Sequence, residues 1–144
     1  MGTLENKQIA ERHWEFMYAK DWDGVASQFA DDGEYMDVGA NTPAVGPRAI
    51  ADRLRLGLGP TELMVHVPGA VLAEGDLVVT EHKEEWHFHT GEVILHPFTS
   101  VMQFRDGRII RWHDYSHLNN LLDRAPQWWI AHIMSGGTAP IPPA

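Results

Sequence analysis

The 144-residue sequence contains no cysteine, which excludes disulfide bonds, thiolate nucleophiles and cysteine-ligated zinc. It also lacks the run of about 18 apolar residues that a membrane-spanning helix needs. The opening stretch MGTLENKQIAER has no apolar core of the kind found in signal peptides. We therefore expect a cytoplasmic protein without a membrane-spanning segment.

Basic residues are scarce, since 11 Lys and Arg face 20 Asp and Glu and give a net charge of −9. This charge would repel the phosphates of nucleic acids and the anionic surface of a membrane, so neither is an expected partner. The six tryptophans, by contrast, are numerous for this length. They suit a pocket for a small hydrophobic or aromatic molecule, although packing in a core is the commoner role for each one.

Helical patterns come first along the chain and strand patterns follow. The helices are predicted at 4–20, where Ile9, His13, Phe16 and Met17 share a stripe, at 23–29, and from Pro47 to about Gly57. Alternating apolar residues predict strands at 63–67, 70–74, 77–89, 92–104 and 108–116, after an earlier strand at EYMDV. This segregation predicts an α+β fold with a curved antiparallel sheet.

The chain is predicted to form one domain over residues 1–134. Its last helical stretch, 118–134, is broken near Pro126, and the Gly- and Pro-rich residues 135–144 are expected to form a flexible tail that does not pack. This stretch carries four large apolar residues, which could close a pocket, contact a partner subunit or pack against the chain's own core: Trp128, Trp129, Ile130 and Ile133.

Asp114 lies in the stretch RIIRWHDYSHL, which otherwise has the content of a buried strand. Burying a carboxylate is costly unless it gains hydrogen bonds or a charged partner. Asp114 therefore either faces water or is present for its chemistry.

Two hairpin turns predict what lies beside Asp114. A two-residue turn at 106–107 would place it opposite Thr99, and a similar turn at 90–91 would place Thr99 opposite His82. All three would then share one row and one face of the sheet. The same face would carry Glu84, Trp86, Phe88, Val101, Ile110 and Trp112.

This predicted arrangement suits general acid–base catalysis. An apolar wall raises the pKa of a carboxyl group and a neighbouring imidazolium lowers it, so two carboxyl groups near one histidine can divide into an acid and a base. The alternative is that Asp114 only orients His82 or His113.

The opposite face of the last strands is predicted to carry Phe98, Met102, Phe104, Ile109 and Tyr115. A face this apolar suggests a homodimer formed through the outer side of the sheet. His87 and His89, with His96 nearby, could be imagined as zinc ligands, but no third acidic ligand has convincing spacing. We therefore expect no metal site.

The sequence resembles the SnoaL-like branch of the nuclear-transport-factor-two-like superfamily, and within it limonene epoxide hydrolases. The resemblance covers about residues 5–125 and is strongest at FADDGEYMDVGANTPAVGPRAI, VVTEHKEEW and FTSVMQFRDGRIIRWHDYSHL. It implies a cone-shaped, cystatin-like α+β roll in which N-terminal helices wrap a strongly bent antiparallel sheet. It also implies a deep pocket at the wide end and, usually, a dimer.

The resemblance also implies roles for individual residues. In limonene epoxide hydrolases a Tyr-x-Asn pair and a last-strand aspartate hold a water molecule, while an Arg-x-Asp strand supplies the acid. The aspartate matches Asp114, Tyr-x-Asn matches Tyr35 and Asp37, and Arg-x-Asp matches His82 and Glu84. Three of the five positions differ, and a permanent cation is replaced by a histidine that titrates near neutrality.

Together these features predict an enzyme that uses no cofactor and works on a small hydrophobic, hydroxylated aromatic substrate as a lyase, dehydratase or isomerase. Asp114 would accept a proton or orient water, assisted by Tyr35 and Asp37. His82, held by a carboxylate, would donate or relay the proton, with Glu84 as the alternative acid. Trp86, Trp112, Phe88, Thr99, Val101 and Ile110 would line the substrate pocket. The alternatives are an epoxide hydrolase and a protein that only binds a small ligand.

Overall fold

The computed structural model describes residues 2–144, in which five helices and six strands form a mixed α+β fold. The helices are α1 (Thr3–Tyr18), α2 (Trp22–Ala26), α3 (Pro47–Leu58), α4 (Leu118–Leu122) and α5 (Gln127–Met134). The strands are β1 (Phe29–Asp37), β2 (Ala44–Val45), β3 (Leu63–Glu74), β4 (Leu77–His87), β5 (Val93–Arg105) and β6 (Arg108–Ser116). The α+β class predicted from the sequence is confirmed.

All six strands belong to one sheet in the order β2-β1-β6-β5-β4-β3. Neighbouring strands are antiparallel except for β1 and β6, which pair in parallel. The three hairpins that link β3 to β6 fix antiparallel pairing, whereas β1 and β6 are far apart in the sequence and no turn sets their relative direction. This pair is the structure's departure from the predicted antiparallel sheet.

The helices α1, α2 and α3 cover one face of the sheet. Along β5 buried and more exposed residues alternate, so that every second side chain faces the helices. The core between the two layers includes Trp14 of α1, Leu54 of α3, Met102 of β5 and Trp112 of β6. This layer positions the polar residues that are buried with the core.

A second apolar cluster lies at the other end of β4 and β5. Trp86 and Phe88 pack there with Ile94 and with Trp129 of α5. The C-terminal helix therefore packs on its own chain. The tail has no helix or strand after Met134 but is tied to this end of the fold, because His89 Nε2 lies 2.9 Å from the carbonyl oxygen of Pro142.

Two element boundaries differ from the prediction. The first strand begins at Phe29, so the acidic stretch ADDG lies within β1 rather than before it. The two strands predicted at 63–67 and 70–74 form the single strand β3, with an irregularity in pairing between Pro68 and Val71. No helix in residues 2–144 is long and apolar enough to cross a lipid bilayer.

The predicted register between β4 and β5 is wrong by one residue. His82 lies opposite Phe98 instead of Thr99. The hairpin loop has three residues, because the backbone N–H of Phe88 bonds to the carbonyl of Glu92, and Gly91 adopts a positive φ of 101°. A three-residue loop closed by a left-handed glycine is a common hairpin that the Thr-Gly pair alone does not distinguish.

The predicted register between β5 and β6 is correct at the turn and wrong beyond it. Arg105 faces Arg108 as expected, but the pairing shifts between Gln103 and Phe104, and Asp114 lies opposite Ser100. Such a bulge adds one residue to a single strand and leaves no clear mark in the sequence.

The two shifts reverse the faces assigned to several side chains. Phe98, Met102, Phe104 and Ile109, predicted to lie on the outer face, are buried in the core, while Tyr115 is exposed. The outer face is still apolar, but through other residues, among them Leu63, Val65, Val67, Val93 and Leu95. The homodimer stays a prediction, and its interface would now involve these residues.

Candidate active site

Asp114 lies in the buried layer near the end of β6, with Asp37 of β1 directly beside it across the parallel pair. Two donors hold its carboxylate. Ser100 Oγ donates to Asp114 Oδ1 over 2.6 Å, and Trp112 Nε1 donates to both Ser100 Oγ and Asp114 Oδ1 over 2.7 Å. Both hydrogen bonds end on Oδ1, so Oδ2 has no hydrogen-bond partner among residues 2–144.

Asp37 is held by residues of its own strand and the following loop. Tyr35 donates its hydroxyl to Asp37 Oδ2 over 3.0 Å, and the side chain of Asn41 donates to the same oxygen over 3.3 Å. Arg53 of α3 donates to the carbonyl oxygen of Tyr35 and to Asn41 Oδ1. The Tyr35 ring stacks on Trp112 with a centroid distance of 3.9 Å. Tyr35 and Asp37 therefore form a fixed pair beside Asp114.

Glu84 of β4 is buried, like Asp114, whereas Asp37 is partly buried. Glu84 Oε2 accepts a hydrogen bond from the hydroxyl of Tyr18, at the end of α1, and its Oε1 accepts one from Trp86 Nε1 over 3.2 Å. Each carboxyl oxygen therefore has a neutral donor. The helix α1 and the sheet together fix the orientation of this acid.

The three carboxyl groups interact electrostatically. Burial raises the pKa of Asp114 well above its ordinary value, and the charges of Asp37 and Glu84 raise it further against the effect of the Ser100 and Trp112 hydrogen bonds. Burial also raises the pKa of Asp37. The pKa of Glu84 rises to about 7, mainly through burial and with a contribution from Asp37. Like charges in one apolar site cannot all ionise together, so this group retains protons near neutral pH.

His82 does not have the carboxylate partner that the sequence analysis assigned to it. Its Nδ1 lies 2.7 Å from Nε2 of His66, and its Nε2 lies 2.6 Å from Thr80 Oγ1. Its ring stacks on Phe98. The register shift accounts for this difference, because it places Thr80 rather than His82 in the row of Ser100 and Asp114. Burial lowers the pKa of His82 to about 4, so its imidazole is neutral at pH 7.

The residues predicted to line a substrate pocket divide into two groups. Trp112 is next to Asp114, and Trp86 and Phe88 are buried in the second cluster, so these three lie on the inner side of the sheet. Thr99 pairs with Tyr115 and Val101 pairs with His113, which places both on the outer face. Ile110 lies at the bulge and lines a surface depression beside Asn6 and Asp106. The structure therefore contradicts the inner-face assignment of Thr99, Val101 and Ile110.

Sequence reasoning missed Tyr18, Ser100 and His66. Tyr18 is four residues after Trp14 on α1, a spacing that places both on one helix face. Ser100 is next to the predicted Thr99 and would have been found with the correct register. His66 is two residues after Met64 in β3, so both lie on the same face of the strand. This spacing does not predict that His66 contacts another histidine.

His87, His89 and His96 each have different neighbours. His87 Nε2 contacts Glu85 on the outer side, His89 contacts the tail, and His96 is buried with Trp86 and Phe98. Within residues 2–144 no three histidine or acidic side chains are grouped closely enough to hold a metal ion.

The sequence of residues 10–112 matches the model of the SnoaL-like domain family. The protein is a member of this family. The match spans most of the chain, from α1 to β6, and so includes Tyr35, Asp37 and Glu84, while Asp114 lies just beyond it. No functionally curated protein matches the chain.

Several solved structures share this SnoaL-like fold. An epoxide hydrolase from M. tuberculosis, described as LEH-like, is 23% identical, with a TM-score of 0.71 over 92% of this chain and 97% of its own. A SnoaL-like polyketide cyclase assigned in Jannaschia sp. CCS1 is 16% identical, with a TM-score of 0.76 over 86% and 94%. TerC, crystallised with polyporic acid, is 19% identical, with a TM-score of 0.74 over 83% and 97%. At these identities the likeness establishes the fold and not the reaction.

Proposed function

We propose that this SnoaL-like protein is an acid–base enzyme that needs no cofactor and acts on a small hydrophobic, hydroxylated aromatic substrate by lyase, dehydratase or isomerase chemistry. The observation that carries the proposal is that Asp37 and Asp114 are paired across β1 and β6, that Glu84 and Asp114 are buried on the same side of the sheet, and that the three acids interact electrostatically with raised pKa values. Interacting acids of this kind tend to lose their protons one after another, so that one can donate a proton while another accepts one.

Asp114 is the proposed base. Its Oδ1 is held by Ser100 and Trp112, which leaves Oδ2 to accept a proton from the substrate. The raised pKa of Asp114 makes its carboxylate a stronger base than an exposed aspartate. The indole of Trp112 and the phenol ring of Tyr35 provide apolar surface beside it.

Glu84 is the proposed acid. A pKa of about 7 leaves a large protonated fraction at neutral pH, and the donors Tyr18 and Trp86 stabilise the carboxylate once the proton has left. In an elimination, Asp114 would take a proton from carbon while Glu84 protonates the departing hydroxyl, which leaves as water. In an isomerisation, Glu84 would return a proton to another carbon. The neutral His82 has no part as the acid at this pH.

Epoxide hydrolysis is the second candidate, favoured by the Tyr35–Asp37 pair beside Asp114. Asp114 would remove a proton from water as its oxygen attacks the ring, and Glu84 would protonate the epoxide oxygen to give a diol. The solved structure described as an LEH-like epoxide hydrolase supports this candidate through its shared fold.

The test is turnover of two metal-free panels, one of hydroxylated diaryl compounds and one of epoxides. We expect Asp114→Asn and Glu84→Gln to lower kcat by roughly 100-fold or more, the scale of general acid–base catalysis. The wild-type rate should fall as the pH rises above about 7, because Glu84 then loses the proton it donates.

Glu85→Gln is the matched control, since Glu85 is the next residue of β4 and contacts His87 on the outer side. It should retain wild-type turnover. Equal turnover by the wild type and Asp114→Asn would remove the assigned base. Binding of compounds without turnover of either panel would instead favour a ligand-binding protein.

A further inference from the structure

We propose that His66, His82 and Thr80 form a proton-transfer path that connects the protein surface with Asp114 through Ser100. The mechanism above gives no role to His66, His82 or Thr80, whereas Ser100 already holds Asp114. Its function rests on the proposed role of Asp114 as the base, because a base that takes a proton in each turnover must exchange it with solvent or with the acid.

The outer part of the path is a continuous hydrogen-bonded chain. His66 of β3 is partly exposed, and its Nε2 lies 2.7 Å from His82 Nδ1. His82 is buried, and its Nε2 lies 2.6 Å from Thr80 Oγ1. An imidazole can accept a proton at one ring nitrogen and release one from the other, so two linked imidazoles can carry a proton inward.

The inner part of the path crosses the sheet. Thr80 lies opposite Ser100, which in turn lies opposite Asp114, and all three are buried on the same face. Cross-strand side chains of this kind have Cβ atoms about 5 Å apart. The two hydroxyls are not hydrogen-bonded in this structure, so a small rotation of the Thr80 side chain has to complete the link. Ser100 Oγ already donates to Asp114 Oδ1 over 2.6 Å.

One consistent set of donors fits every link. In this set His66 Nε2–H donates to His82 Nδ1, His82 Nε2–H donates to Thr80, and the Ser100 hydroxyl donates to Asp114. The remaining link forms when the Thr80 hydroxyl turns to donate to Ser100. A proton taken up at His66 Nδ1 moves each of these protons one link inward, and one proton arrives on Asp114. The reverse sequence releases it, so the number of protons in the path is conserved.

The surroundings also fit proton transfer better than plain packing. The His66 ring stacks on Tyr18 with a centroid distance of 4.3 Å, and the His82 ring lies between Trp14 and Phe98. Neutral imidazoles with lowered pKa values neither trap the proton nor require a counter-ion. His66 also pairs with Glu84 across β3 and β4, so the path begins beside the proposed acid.

The test measures how fast Asp114 gains its proton after a rapid pH drop, without any substrate. The readout is the infrared band of the protonated carboxyl group, assigned by its loss in Asp114→Asn. We expect Thr80→Val and His66→Phe to slow protonation by about 100-fold. The equilibrium midpoint should change little, because neither residue contacts the Asp114 carboxylate.

Two controls separate proton transfer from packing. Thr80→Ser keeps the hydroxyl group and should protonate Asp114 at the wild-type rate. His87→Phe replaces a histidine with phenylalanine on the outer side of β4, outside the path, and should also keep the wild-type rate. An unchanged rate in Thr80→Val would overturn the path, and so would equal slowing in Thr80→Ser. Because no substrate is present, failure of the turnover panels would count against the proposed function alone.

Discussion

Glu84 and Asp114 carry the same functional group but are held differently. Glu84 has one donor on each oxygen, whereas Asp114 has both donors on a single oxygen. The first arrangement stabilises the carboxylate on both sides, and the second leaves one oxygen for another molecule. This difference, rather than residue type, is the basis for assigning the acid to Glu84 and the base to Asp114.

The raised pKa of Glu84 predicts a pH-dependent cost to folding. In the folded protein its pKa is about 7 against an ordinary value of 4.5, so folding favours the protonated form. The stabilising contribution is complete below pH 4.5 and is lost as the pH rises towards 7. We expect the free energy of unfolding of the wild type, relative to Glu84→Gln, to fall by about 3 kcal/mol across this range.

Urea unfolding at several pH values measures this difference. Glu85→Gln, which changes a carboxylate on the opposite face of the same strand, is the reference for any general effect of removing a negative charge. A constant difference between the wild type and Glu84→Gln from pH 4.5 to 7 would show that folding does not raise the pKa of Glu84.

At the scale of helices and strands, the sequence predicted most elements but not how the strands align. Apolar alternation located β4, β5 and β6 within a few residues, because burial on one face repeats every second position. The register of a strand pair depends on loop length and on bulges. The sequence around Thr90 is compatible with more than one loop length, and the sequence around Ile110 is compatible with a regular or a bulged strand. One added residue at each place moved Thr99 outward and brought Ser100 to Asp114.

The positions of the candidate site residues could be predicted only where they depend on single strands. The resemblance pointed to Tyr35 and Asp37, and strand alternation pointed to Glu84 and Asp114; in the structure Asp37 pairs with Asp114, and Glu84 and Asp114 are buried. Their roles stay predictions. The partners of His82 depend on three strands and two loops at once. Its two hydrogen bonds could be read only from the three-dimensional arrangement.

Replacing Gly57 and Gly91 with alanine should have opposite effects on the stability of the fold. Gly57 lies within α3, where an added Cβ would meet no atom within 4 Å, so Gly57→Ala should stabilise the fold by about 0.5–1 kcal/mol. Gly91 closes the β4–β5 loop with a φ of 101°, and Gly91→Ala should cost about 1–2 kcal/mol although its Cβ is also unobstructed. Thermal unfolding of both variants compares them directly. Equal effects would show that the positive φ of Gly91 does not disfavour a side chain at this position.

At the scale of the whole molecule, the outer face of the sheet exposes apolar side chains that no other element of the described chain covers. The outer rows of β3 and β5 present Leu63, Val65, Val67, Val93 and Leu95, separated by the polar residues of β4. A net charge of −9 keeps copies of the chain apart at long range. Apolar surface of this extent on a small domain is typical of an interface.

We therefore expect a homodimer formed through this face, and Leu95→Lys should convert it to a monomer. Leu95 is 51% exposed, and a lysine there would place a charge in the contact without disturbing the core. Leu4→Lys is the matched control, because Leu4 is 66% exposed on α1, away from the sheet's outer face. Sedimentation velocity over a range of concentrations distinguishes the two species.

Added salt should strengthen the wild-type dimer, since it screens the repulsion between two acidic chains and leaves apolar contacts intact. A wild type that stays monomeric at every concentration and salt level, or a Leu95→Lys variant that dimerises as well as Leu4→Lys, would show that the exposed valines and leucines do not form the interface.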